Sequence, residues 1–237
     1  MKKHIPNLIT LGNLFCGTIA TIFAVEGDFM HAGLFVVLGI ILDFFDGFAA
    51  RLLNVSGELG KQLDSLADMV TSGVVPGVIM LKLLGDKQIG LDSFTVPSFL
   101  PLLGLLLTLG ACYRLAKFNI DTRQSESFIG LPTPAMSLFV ISLPLILEYS
   151  NIDLVEDIIR NNYFLIGVTV LLTYLMNAEI PLFSLKFKEY SIKNNLVKYM
   201  FLCISLLMIV ILKYIAIPLI IVFYVGLSVI SNRRKII

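Results

Sequence analysis

The sequence predicts an all-α integral membrane protein with about eight transmembrane helices. Three observations carry that expectation. Of 237 residues, 57% are hydrophobic and 15% charged, and the mean hydropathy is +0.89, far from an ordinary soluble domain. The apolar residues fall into runs of roughly 20, the length that crosses the hydrocarbon core of a bilayer. Polar residues collect in short connections, so residues 1–237 read as one membrane domain without a soluble module, linker or low-complexity tract.

Taken in order, the first span is expected from about Pro6 to Ala24, the second from His31 to Leu53, and the third from Glu58 to Leu83. The N-terminal MKKH followed by apolar residues looks like a signal peptide, but no small-residue cleavage site follows, so a retained helix is expected. After a polar loop (Gly85 to Ser93), the fourth span runs from about Pro97 to Phe118 and the fifth from Thr133 to Leu147. An acidic connection, Asn151 to Asn162, leads to the sixth, Tyr163 to Ile180. A lysine-bearing loop, Lys186 to Asn195, precedes the seventh (Leu196 to Leu212) and eighth (Tyr214 to Ser231), with a turn near Lys213.

Cations fix the orientation. With the N-terminus inside, Lys2, Lys3, Arg51, Lys61, Arg114, Lys117, Arg123, Lys186, Lys188, Lys193, Lys198, Arg233, Arg234 and Lys235 are cytoplasmic, against only Lys82, Lys87, Arg160 and Lys213 outside. That bias predicts both termini in the cytoplasm. No basic stripe of the kind a nucleic-acid binder needs is present. Cys16, Cys112 and Cys203 are widely spaced in apolar runs and read as buried free thiols.

The stretch from Asp43 to Met69, DFFDGFAARLLNVSGELGKQLDSLADM, breaks the apolar pattern. Asp43 and Asp46 are three apart and Asp64 and Asp68 four apart, so each pair shares one helix face. Joined by an inner turn around Asn54 to Gly57, the two helices are antiparallel neighbours and their acidic faces can meet. Four carboxylates at membrane depth repel one another unless a cation holds them. Hard oxygen donors suit Mg²⁺, Mn²⁺ or Ca²⁺, and a zinc site would want histidine or cysteine. The two histidines, His4 and His31, lie at opposite ends of the first span. Four carboxylates can hold two divalent ions, an arrangement that clamps a phosphoryl group during in-line displacement. Gly47 and Ala50 let a ligand approach the backbone, and Arg51 suits a phosphate oxygen. The bland alternative is helix packing by small residues, with ion pairs to Arg51 and Lys61. A cation transporter also places acids in the membrane, but inverted repeats and broken helices are lacking.

The pattern Asp43-x2-Asp46-Gly47-x2-Ala50-Arg51-x8-Gly60-x3-Asp64-x3-Asp68 resembles, at every fixed position, the signature of the CDP-alcohol phosphatidyltransferases. The resemblance implies a six-helix catalytic core over about residues 5–180, with two further helices over about 196–231. It also implies a homodimer, two bound divalent cations (Mg²⁺ or Mn²⁺) and a CDP-linked lipid donor. Carried over, Asp43, Asp46, Asp64 and Asp68 are the metal ligands and Asp68 is also the general base. Gly47, Ala50 and Arg51, with Asp46, would line the nucleotide site. Pro6-Asn7-Leu8-Ile9-Thr10 looks like the family's N-terminal nucleotide contact, giving Asn7 and Thr10 that role; as a helix start, the same residues can satisfy free N–H groups. Relatives often carry Ser or Thr where this chain has Gly57, so Ser56 or a backbone N–H takes that contact.

Two further segments bear on the acceptor. Arg114-Leu115-Ala116-Lys117-Phe118-Asn119 and Phe128-Ile129-Gly130-Leu131-Pro132-Thr133-Pro134-Ala135 are similar to segments of bacterial and archaeal phosphatidylserine synthases, over about residues 5–150. Lys117 stands where arginine is commoner. The implied reaction joins CDP-diacylglycerol and L-serine at a cytoplasm-facing site, with Arg114, Lys117, Asn119 and Arg123 offering polar contacts to the amino acid. Those cations also serve as positive-inside anchors. The same transfer to glycerol 3-phosphate or inositol phosphate is the nearest alternative, and would want a denser basic pocket.

Overall fold

The computed structural model describes residues 4–55, 57–85, 99–121, 128–182 and 195–233, and almost all of them are helical. Helices α1 (His4–Glu26) and α2 (Phe29–Leu52) form an antiparallel pair, with the most extensive contact among the described elements. A turn leads into α3 (Glu58–Asp68), a π-helical stretch (Met69–Val74) and α4 (Val75–Leu84), which continue one another. A 3₁₀ turn (Pro101–Leu105) then opens α5 (Leu106–Ile120). Beyond it follow β1 (Phe128–Ile129), α6 (Thr133–Tyr149), α7 (Asp153–Arg160), α8 (Asn162–Asn177), β2 (Pro181–Leu182), α9 (Leu196–Leu212) and α10 (Ala216–Arg233).

Five helical stretches have the length and apolarity of a membrane span: His4–Glu26, Phe29–Leu52, Glu58–Leu84, Pro101–Ile120 and Leu196–Ser231. The pair α7 and α8, bent by 71°, reaches that length and apolarity only when taken together. The protein is therefore an all-α membrane protein, as its composition requires. Within 196–231 the chain folds back: Lys213 has φ 49° and ψ −121°, and Phe201 stacks on Phe223 with centroids 5.8 Å apart. A straight helix would separate those rings by about 33 Å. The seventh and eighth expected helices thus form a hairpin, with α10 against α6 and β2.

The core lies where α4, α6 and α8 meet, built from Val75, Ile79, Met80, Met136, Val140, Ile146, Leu165 and Leu172. Many large apolar side chains instead face outward, such as Phe15 on α1 and Val210 on α9. In a bilayer this surface is solvated by acyl chains, so its exposure costs nothing. Cys16 is buried as expected, but Cys112 and Cys203 are exposed on the outer faces of α5 and α9. An apolar run locates a residue in the membrane without choosing between lipid and core. The acidic connection is also more ordered than expected. Its segment forms α7, which buries Ile159 and pairs Arg160 with Glu156 at 3.6 Å.

Asp28 caps α2 by accepting from the His31 N–H at 3.1 Å, and that bond holds its carboxyl below the usual 3.8. A depressed value makes the cap's contribution complete above that pH and lost as pH falls through the folded-state value. Asp28→Asn keeps an acceptor there, so its melting temperature should lose that part of the parent's acid sensitivity.

The β1–β2 contact is a two-residue antiparallel pairing (Phe128 with Leu182, Ile129 with Pro181) rather than a sheet layer. It fastens the entry to α6 onto the end of α8. Gly130 N donates to Ile180 O and Leu131 N to Leu175 O, both at 2.9 Å. Gly130 has φ +74°, and a Cβ there would collide with Met176 O and lie 3.1 Å from Ala178 O. Gly130→Ala should therefore cost about 1–3 kcal/mol, read as a lower melting temperature in detergent.

Candidate active site

Helix α2 carries Asp43 and Asp46 on successive turns, with Gly47 and Arg51 continuing the Asp43 face at four-residue spacing. The reversal into α3 is tight. Leu53, Asn54 and Val55 N–H groups close onto Ala49, Arg51 and Ala50 carbonyls at 2.9, 3.2 and 3.0 Å, and Asn54 takes φ +52°. Gly57 then precedes α3, which carries Asp64 and Asp68. The turn turns the two acidic faces toward each other.

One oxygen each of Asp43, Asp64 and Asp68 lies within 4.8 Å of the other two, in a partly buried cluster. Among the described residues no lysine or arginine forms an ion pair with any of the four aspartates. That removes the alternative in which Arg51 and Lys61 neutralise them. An all-oxygen donor set of this charge, without a counter-ion among the described residues, fits a hard divalent cation. Asp46 stands slightly apart. It is 7% exposed and accepts at Oδ2 from the Thr10 hydroxyl at 2.5 Å.

The N-terminal pair also reaches this region. The Thr10 hydroxyl lies between Asp46 and the Pro6 carbonyl, 3.0 Å away, so Thr10 ties α1 to α2. Asn7 faces α3: a Cβ on Gly60 would lie 3.4 Å from Asn7 Oδ1. Gly47 and Gly57 are different, since a Cβ on either would meet nothing within 4 Å. Packing within the protein does not require those two glycines, and they leave open space beside Asp43 and at the start of α3. Arg51 is exposed on the same face as Gly47, and Ala50 is half-buried.

The residues expected at the acceptor form links between helices. Arg114, 8% exposed, donates from Nη1 to Ile129 O at 3.0 Å and Met176 O at 2.9 Å. Lys117 pairs with Glu179 at 3.5 Å. Asn119 donates from Nδ2 to Ser65 Oγ at 2.9 Å, and its carbonyl accepts from Lys61 Nζ. The end of α5 is thereby fastened to α3 one residue from Asp64. Ser56 and Arg123 lie outside the described residues.

One site residue escaped the sequence reading. Asn13 on α1 is fully buried and donates from Nδ2 to Asp68 Oδ1 at 3.2 Å. Its signal was available: Asn7, Thr10 and Asn13 recur every three residues, a polar stripe down an otherwise apolar helix.

A family model described as CDP-alcohol phosphatidyltransferase matches residues 3–178, from α1 through α8. The chain belongs to this family. Among its relatives, a CDP-diacylglycerol–serine O-phosphatidyltransferase of Bacillus subtilis is 38% identical over 146 residues, covering 60% of this chain and 75% of the relative. One of the same name from Helicobacter pylori is 33% identical over 199 residues, covering 83% and 79%. An archaetidylserine synthase of Methanothermobacter thermautotrophicus is 26% identical over 181 residues, covering 75% and 69%. The carboxylate cluster of this CDP-alcohol phosphatidyltransferase lies wholly within the matched region.

Proposed function

We propose that the protein transfers the phosphatidyl group of CDP-diacylglycerol to the hydroxyl of L-serine, giving phosphatidylserine and CMP. The convergence of Asp43, Asp64 and Asp68, in a chain related to serine-accepting transferases, carries this reading.

The donor's diphosphate lies along α2, where Gly47 leaves the backbone open and Arg51 presents an exposed guanidinium to phosphate oxygens. Ala50, Asn7, Thr10 and the turn at Ser56 and Gly57 frame the nucleotide. Asp43, Asp46, Asp64 and Asp68 would hold two divalent cations, Mg²⁺ or Mn²⁺, which would supply positive charge to offset that of the diphosphate. Thr10 orients Asp46 through its short hydrogen bond. Asp68 accepts the proton of the serine hydroxyl as that oxygen attacks the lipid-side phosphorus. The bond from that phosphorus to the bridging oxygen breaks, and CMP leaves with the electron pair.

Serine presents a carboxylate and an ammonium, and the end of α5 brings matching groups. Lys117 and Glu179 offer opposite charges 3.5 Å apart, and Asn119 sits beside α3. Arg114 keeps further guanidinium donors beyond the Nη1 held by the two carbonyls. A phosphorylated alcohol would want a denser basic pocket than Arg114 and Lys117, the two cations that the end of α5 brings. The catalytic core is residues 5–180 of a single membrane domain that works as a homodimer, with the site and both termini on the cytoplasmic side, as the cation bias favours.

Acceptor identity is tested by offering serine, glycerol 3-phosphate and inositol phosphate in parallel to purified protein with labelled CDP-diacylglycerol. Label is expected in phosphatidylserine alone. Label in a product of either phosphorylated alcohol would keep the aspartate chemistry and remove the serine assignment.

A further inference from the structure

Asp68 sits at one end of a buried polar relay outside the aspartate signature. Asn13 Nδ2 donates to Asp68 Oδ1 at 3.2 Å, and Asn13 Oδ1 accepts from the Thr71 hydroxyl at 2.8 Å. Asn13 and Thr71 are both fully buried. The polarity of the relay is determined. A carboxylate only accepts, so the amide must turn its NH₂ toward Asp68 and its oxygen toward the Thr71 hydroxyl. That hydroxyl also lies 3.2 Å from the Asn13 backbone carbonyl.

The surrounding backbone is shaped around this contact. A Cβ on Gly39 of α2 would lie 2.8 Å from both Asn13 Oδ1 and Thr71 Cγ2, and one on Gly17 of α1 would collide with the Thr71 hydroxyl. Thr71 belongs to the π-helical stretch that begins directly after Asp68, where Val75 N bonds to Val70 O. The wider turn leaves carbonyls to be satisfied from outside, and the Thr108 hydroxyl of α5 donates to Gly73 O at 2.9 Å. Asn13 of α1 and Thr71 of the π-helical stretch thus meet on one side of Asp68 without contributing a charge.

We propose that Asn13 and Thr71 are positioning residues for Asp68. They fix one oxygen of its carboxylate and leave the other for the reacting hydroxyl and the cation. The inference rests on the reading of Asp68 as proton acceptor and metal ligand. Thr71 touches neither substrate nor cation; it acts through the amide of Asn13.

The test compares Thr71→Val, which keeps the side-chain shape without the hydroxyl, with Thr71→Ser, which keeps the hydroxyl, in the full chain in detergent. Serine transfer, Mn²⁺ binding followed by electron paramagnetic resonance without substrates, and thermal melting are measured for each, with Asp68→Asn alongside. Thr71→Val should lower kcat about tenfold or more with both KM values within about twofold, and Thr71→Ser should recover most of the loss. Mn²⁺ binding should weaken about threefold or more in Thr71→Val, but not further when Thr71→Val is added to Asp68→Asn. Parental kcat in Thr71→Val, or an equal loss in Thr71→Ser, would overturn the inference. So would a full further loss of Mn²⁺ affinity in the double variant. Normal transfer by Asp68→Asn would overturn the base assignment instead, whatever Thr71 does. Should Thr71→Val not fold, Thr71→Ala takes its place under the same criteria.

Discussion

Replacing Asp43 or Asp64 with asparagine is expected to remove transfer almost completely while the protein becomes harder to melt. Asparagine preserves size and shape but contributes no charge, and each of these carboxylates has an oxygen within 4.8 Å of the other members of the cluster. On the proposed reading, losing one weakens cation binding and with it the positive charge that offsets the diphosphate. The fall in kcat/KM should be about a thousandfold or more, beyond the roughly 10–100-fold that changing an outer partner of a metal ligand costs. The stability effect runs the other way. Without cation the carboxylates repel one another at short range and, among the described residues, lack a lysine or arginine partner. In chelator, Asp43→Asn and Asp64→Asn should therefore melt above the parent, and added Mn²⁺ should stabilise the parent more than either variant. A variant that transfers normally, or melts well below the parent in chelator, would show that these acids hold the fold rather than the cation.

Arg114→Ala should produce the largest loss of stability among the changes considered. The guanidinium joins three segments: α5, the β1 strand through Ile129 O, and the C-terminal end of α8 through Met176 O. Removing it leaves two carbonyls without this donor in a site where Arg114 itself is only 8% exposed. The cost should be about 2–4 kcal/mol, seen as a lower melting temperature in the absence of substrate. Arg114→Lys should fall between parent and alanine, because an ammonium reaches as a point charge without the planar fork. A residue that only contacted the acceptor would behave differently: Arg114→Ala would melt like the parent and raise the serine KM alone. That result would leave Arg114 with its acceptor role alone and discard the clamp.

The fate of Arg114 shows where sequence reading stops. The segment was legible as special through its resemblance to segments of phosphatidylserine synthases. Its hydrogen-bond partners lie 15 and 62 residues away, and no local pattern encodes that. The four aspartates were legible for the opposite reason. Both pairs follow helical spacing, and the turn between them is short enough that the chain itself brings the faces together. Asn13 falls between these cases. A lone asparagine in an apolar helix carries little information, but the stripe it makes with Asn7 and Thr10 was visible. Thr71 was not, since the π-helical turn that presents it has no local sequence mark. The apolar segments gave the order of the helices, whereas the 71° bend before α8 and the outward position of Cys112 depend on packing partners that periodicity does not name.

The most direct measurement of the central claim is serine-dependent release of CMP from CDP-diacylglycerol by the purified protein, with Mn²⁺ or Mg²⁺ and then with excess chelator. Cation-dependent CMP release matched by an equal amount of phosphatidylserine, and lost in Asp43→Asn and Asp64→Asn, is the predicted result. Phosphatidylserine formation that persists in chelator, or CMP release that does not depend on serine, would contradict the account.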